Sequence, residues 1–119
     1  QSKDINNILA TLANNKMILY HVKVPLDDHV HQQWLDWMNT KHIAQVMNTG
    51  LFTAAKMSKV LVEEQMGGLT YSIQYTCESI KKVDEYKAKF AAELQEEHTK
   101  KFQGKFVAFR TLLEVVNEF

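Results

Sequence analysis

Few side chains in this chain suit chemistry, and their spacing narrows them further. His42 follows Trp34 and Trp37 on what reads as one helix, where the apolar stripe loses phase. An imidazole with an ordinary pKa of about 6.5 suits general acid or base work there. The competing reading is a histidine that hydrogen bonds to carbonyls freed at a helical bend. Trp34 and Trp37 stand a turn apart, which suits stacking on a flat ligand as well as plain burial. His98, between Leu94 and Phe102 on a second stripe, reads as a pocket group or as a core histidine. If a pocket lies between helices and sheet, Tyr20, Trp34, Trp37, Tyr71 and His98 line it, with His42 as its acid or base.

Other chemistries are excluded by spacing. His29 and His31 would share a face on a strand, but on a helix they point about 200° apart, so no metal site is expected. The chain has no Cys-x-x-Cys, no His-x-x-x-His, no phosphate-cradling glycine loop and no nucleophile elbow, and nothing in it calls for a cofactor.

The positioning elements follow from periodicity. Residues 67–77 alternate Leu69, Tyr71, Ile73, Tyr75 and Cys77 against Thr70, Ser72, Gln74 and Thr76, a strand with one apolar and one semi-polar face. Residues 17–24 alternate likewise, with Ile18, Tyr20, Val22 and Val24 opposite Leu19, His21 and Lys23, and Pro25 is expected to stop the strand. Asp27 and Asp28 cap a helix carrying Val30, Trp34, Trp37 and Met38, which bends near Thr40 to His42 and ends at Asn48-Thr49-Gly50. A looser strand spans 52–62, and Gly67-Gly68 turns the chain into residues 69–77. Ser79 caps a long helix with Ile80, Val83, Tyr86, Phe90, Leu94, His98 and Phe102 on one stripe, ended by Gly104.

In the last strand, 106–116, Val107, Phe109, Thr111, Leu113 and Val115 are expected to face the helices. Arg110 then joins His21, Lys23, Ser72, Gln74 and Thr76 on the open side of the sheet. There it would bind an acidic ligand or pair across a dimer with a carboxylate such as Glu114.

The element order is that of a split βαβ, ferredoxin-like α+β sandwich: a four-stranded antiparallel sheet with two helices on one face. The bare face invites an isologous homodimer. Residues 17–119 form this domain. Residues 1–16, with Ile5, Ile8, Leu9 and Leu12 after Asp4, are expected to form an amphipathic helix that is an appendage or leader.

Composition sets the remaining bounds. The chain has 119 residues, enough for one core. Fourteen basic and fourteen acidic residues cancel, so no field recruits nucleic acid and self-association is mildly favoured. No run is long and apolar enough to span a bilayer. The lone Cys77 reads as a core side chain in a reducing cytoplasm.

Three segments together carry a resemblance: Trp34-Leu35-Asp36-Trp37-Met38 with His42-Ile43, Gly67-Gly68-Leu69-Thr70-Tyr71-Ser72, and Gly104-Lys105-Phe106-Val107-Ala108-Phe109-Arg110-Thr111. From Met17 to about Val116 the chain resembles a small bacterial domain-of-unknown-function family with the dimeric α+β-barrel fold. The resemblance implies a fold and a dimer more than an activity, because the wider superfamily mixes monooxygenases, isomerases, haem-degrading enzymes and non-catalytic members. The expectation is a ligand-binding or structural homodimer without defined chemistry. The alternative is a small-molecule enzyme resembling the cofactor-independent monooxygenases or isomerases.

Overall fold

Alternation of apolar and polar side chains from Ile18 to Leu26 makes one of the two inner strands of the sheet, β1 (Ile18–Leu26). The computed structural model describes Ile5, residues 16–62 and residues 68–119. The helix expected at 1–16 thus lies outside the described residues except for Ile5 and Lys16, as does Gly67 of the turn. Pro25 falls inside β1 instead of ending it. It has no N–H to offer, but its carbonyl still accepts from the Val107 N–H at 3.0 Å, so the pairing continues past it.

A 3₁₀ turn (Asp28–Val30), capped by the Asp27 carboxylate on the His29 N–H, leads into helix α1, residues 31–47. Strands β2 (Ala54–Lys59) and β3 (Leu69–Cys77) come next. Ser79 then caps helix α2, residues 80–101, by accepting from the Lys82 N–H, and β4 (Phe109–Glu114) closes the sheet. The strand order is β2-β3-β1-β4, with every pair antiparallel. This is the ferredoxin-like arrangement, with both helices packed on one face. The core between the layers includes Trp34, Val83 and Cys77, all without solvent exposure. No described helix is long and apolar enough to cross a membrane.

Each helix contains one π turn, Met38–His42 in α1 and Lys87–Ala91 in α2. The reason lies in the spacing of the buried side chains. Trp34, Met38, His42 and Val46 are all buried and four apart, and four residues of an ideal α-helix overshoot a full turn by roughly 40°. Over three such steps the stripe would wind away from the sheet. A π turn, with its wider ring, takes up one extra residue and returns it to the same face. The bend expected near Thr40 to His42 is therefore a re-phasing. Its loosened carbonyl is taken by the Thr40 hydroxyl, which donates to Asp36 O at 2.6 Å, and the His42 side chain turns inward.

β4 corrects the sequence-based face assignment. Val22 lies opposite Arg110 and Tyr20 opposite Leu112, whereas Lys23 lies opposite Phe109, His21 opposite Thr111 and Leu19 opposite Leu113. Arg110 thus shares the helix-facing side with Tyr20 and Val22, and Phe109, Thr111 and Leu113 point outward. In a strand a one-residue offset exchanges the faces of every side chain.

Two glycines with positive φ differ in what surrounds them. Gly68 (φ 77°) would bring an added Cβ to 2.8 Å from the Leu26 carbonyl oxygen, whereas Gly104 (φ 76°) faces open space. Both substitutions to Ala meet backbone strain, and only Gly68→Ala meets a backbone collision as well. Gly68→Ala is expected to lower the unfolding free energy by about 2 kcal/mol or more and Gly104→Ala by about 1 kcal/mol. Urea denaturation midpoints measure both, and equal losses would contradict the close approach.

Candidate functional site

The inner faces of β1, β3 and β4 and the two π-containing helices enclose a cavity of about 30 Å³, room for a water molecule. Tyr20, His42, His98, Tyr75, Tyr86, Gln95 and Arg110 supply its polar groups, and Val22, Met38, Ile73 and Leu94 are among its apolar walls. Tyr20, Gln95 and Arg110 are also walls of a second recess, of about 400 Å³, between α2 and β4, which Lys87, Ala91, Ala92, Thr111 and Leu112 complete. A buried polar chamber and a wider mouth thus share three side chains.

The π turns place this site. The turn in α1 carries Met38 and His42 to the cavity, and the turn in α2 carries Lys87 and Ala91 to the mouth. His42 is 8% exposed and its Nδ1 has no hydrogen-bond partner. Trp37 stacks on its ring at 4.6 Å between centroids, and the His98 ring lies 5.3 Å away. His98 is held on several sides. Its Nε2 accepts from Trp34 Nε1 at 3.0 Å, and Phe106 stacks flat against it at 4.0 Å. Because an indole N–H only donates, this bond requires an unprotonated Nε2 and assigns the proton of a neutral His98 to Nδ1.

Burial controls the charge of the chamber. It pushes His42 down to about 4, with Glu97 acting upward and Arg110 downward. It pushes His98 down to about 3, with charge at His42 and Arg110 adding to the effect. Burial raises the Tyr20 hydroxyl, opposed by the Arg110 charge and by the polar groups of Arg110 and Gln95 that face it. Tyr75 and Tyr86 are raised by burial above the usual phenol range. At neutral pH the two histidines are uncharged, and the cations Arg110 and Lys87 stand at the mouth.

Of the residues expected around a pocket, Tyr20, His42 and His98 meet at the cavity. Trp34 and Trp37 do not line it; they stand behind the two histidines, one bonded to His98 and the other stacked on His42. Tyr71 lies on the inner face but away from the cavity, where its hydroxyl bonds His31 Nε2 at 2.6 Å and its ring packs on Trp34. Arg110 moves from the expected open face into the site, and Gln95, Tyr86 and Lys87 join it. On the open face, His21 and Ser72 bond each other at 2.7 Å, beside Gln74, Thr76 and Lys23. Among the described residues no three His, Cys, Asp or Glu side chains gather into a metal-holding group.

Residues 17–116 match the domain of unknown function DUF4286, and the chain belongs to that family. No curated protein matches it. Among solved structures it is similar to an EthD-like protein from Ralstonia eutropha, at 14% identity and a TM-score of 0.64 over 88% of this chain and 96% of the other. It is also similar to the hydroxynitrile lyase of Passiflora edulis, at 15% identity and a TM-score of 0.57 over 87% and 99%. A third is a dimeric ferredoxin-like protein from an uncultured marine organism, at 18% identity and a TM-score of 0.54 over 87% and 91%. At these identities the likeness is one of fold.

The two histidines make a pH prediction. Their folded pKa values lie below the ordinary 6.5, so the unfolded chain binds more protons and stability rises with pH. The contribution is complete above pH 6.5 and is withdrawn as pH falls from there toward 4. Going from pH 7.5 to 5.5 should cost about 1 kcal/mol per histidine. Urea unfolding at the two pH values measures the loss, and His42→Gln should remove about half of it. Equal stability at both values would show that the imidazoles protonate freely in the fold.

Proposed function

We propose that this DUF4286 chain works as a homodimer that binds a small molecule between its helices and its sheet. The observation that carries the binding reading is the buried, unpartnered Nδ1 of His42 beside a water-sized cavity that shares Tyr20, Gln95 and Arg110 with the wider recess. Buried polar atoms are almost always hydrogen bonded, so this one, at a cavity that shares its walls with an open recess, offers a hydrogen-bonding place to a water or to a polar group of a ligand.

Binding is favoured over proton transfer by magnitude. A catalytic base works best with a pKa near the working pH, and histidines held at about 4 and about 3 are weak bases at neutrality. As bound neutral groups they are good hydrogen-bonding walls. The monooxygenase- or isomerase-like alternative needs His42 returned toward its ordinary value.

The dimer reading rests on the outer face. Leu19, Phe109 and Leu113 line one side of it, with Phe109 56% and Leu113 40% exposed, and His21, Ser72, Gln74 and Thr76 fill the centre. Strand lengths and spacing give that face about 500 Å² per subunit, or about 1,000 Å² for a pair, which reaches the lower limit of specific interfaces. The zero net charge removes repulsion between copies. The similar marine protein is itself dimeric, and two sheets packed face to face would make the α/β barrel.

Light scattering after gel filtration should give a mass twice 13.8 kDa, and the pair Phe109→Asp, Leu113→Asp should give the single-chain mass with an unchanged far-UV spectrum. A wild-type mass of one chain would overturn the dimer. For binding, small molecules that raise the melting temperature should lose that effect in Ala92→Trp, which fills the recess from an exposed position. Hits that are indifferent to Ala92→Trp would place binding elsewhere.

A further inference from the structure

The recess is lined by two cations and no carboxylate. Arg110 and Lys87 stand on its two sides, one on β4 and one on α2. Neither makes an ion pair with a described carboxylate. The Arg110 charge acts on Tyr20, Tyr86, His42 and His98 alike. Glu97, the one carboxylate felt by His42, is already paired with Lys41 at 3.3 Å. No carboxylate lines the cavity or the recess, so nothing inside the pocket compensates Arg110. Of the other walls, Ala91, Ala92 and Leu112 are apolar, and Tyr20 and Gln95 are neutral hydrogen-bonding groups.

From this juxtaposition we infer that the ligand is a small organic acid, its carboxylate on the Arg110 guanidinium and its apolar body against Ala91, Ala92 and Leu112. The inference rests on the pocket reading given above and adds the chemical class. A planar guanidinium meets a carboxylate with two parallel hydrogen bonds, which an amide or alcohol of the same shape cannot match. Lys87, a compact charge on a flexible stem, adds attraction that salt weakens, because the recess is open to solvent. The volume of about 400 Å³ suits a molecule of one or two rings or a medium chain rather than a polymer.

The probes are 2-naphthoate and its uncharged isostere 2-naphthamide, titrated calorimetrically into the full chain at low salt. Naphthoate should bind the wild type, at least about tenfold more weakly to Arg110→Gln, and more weakly as salt is added. Naphthamide should bind weakly and equally to both. Arg110 is exposed and makes no ion pair with a described carboxylate, so Arg110→Gln should melt close to the wild type, which separates lost binding from lost fold. If the two probes bind alike and Arg110→Gln changes neither while Ala92→Trp abolishes both, the acid class is overturned and the pocket stands. If neither probe binds at millimolar concentration, or Ala92→Trp leaves both unchanged, the pocket assignment falls as well.

Discussion

A hydrogen bond between two buried rings, Trp34 Nε1 donating to His98 Nε2 at 3.0 Å, ties α1 to α2 and requires a neutral His98. It joins residues 64 positions apart in sequence. It exists only while His98 Nε2 is unprotonated, because protonation there would set two buried donors against each other. The surrounding rings depend on the same condition. Phe106 lies flat on His98, Phe102 meets it edge-on, and Trp37 bridges from His98 to His42. A positive charge in this stack would have no described carboxylate close by except Glu97, which Lys41 already holds. The neutrality of the interior is therefore a packing requirement, and it leaves the mouth as the place where charge can stand.

The second constraint is helical phase. A helix that keeps side chains four apart on one flat face must absorb the mismatch with 3.6 residues per turn, and both helices do so with a π turn. The first was legible in the sequence, because Val30, Trp34, Trp37 and Met38 end one stripe and Ile43, Val46 and Met47 begin another, rotated. The second was not. Phe90 continues the stripe from Tyr86 at ordinary spacing, so the pattern looks unbroken, yet the next buried residue after Tyr86 is Ala91, five positions on. A small apolar residue beside a large one hides an insertion.

The strands show the same division. β1 and β3 alternate cleanly and their faces were readable, as were the element order and the ferredoxin-like topology. β4 carries apolar residues on both faces, Leu112 inward and Phe109 and Leu113 outward, so periodicity alone gave no preference and only pairing with β1 decides which side Arg110 takes. Alternation also says which face a residue takes but not how far along the strand a cavity lies. Tyr71 was placed on the correct face and still sits at the far end of the sheet, bonded to His31. The position of the cavity depends on where the helices cross the sheet, which no local pattern encodes.

That Arg110 lies on an edge strand follows from the cost of charge. Across one row of the inner face, Ile73, Val22 and Arg110 stand side by side, running from the buried middle of the sheet to its margin. A guanidinium at the Ile73 position would be stripped of water with no carboxylate to meet it, at a cost of several kcal/mol. At the margin it keeps its hydration in the free protein and yet borders a neutral, low-dielectric chamber in which its attraction for an opposite charge is less screened than in bulk water. The same alternation that turns Arg110 inward turns Phe109 and Thr111 outward, so the strand that presents the cation also forms part of the open face. The edge of the sheet is thus a place where an uncompensated charge can be held cheaply beside a neutral pocket.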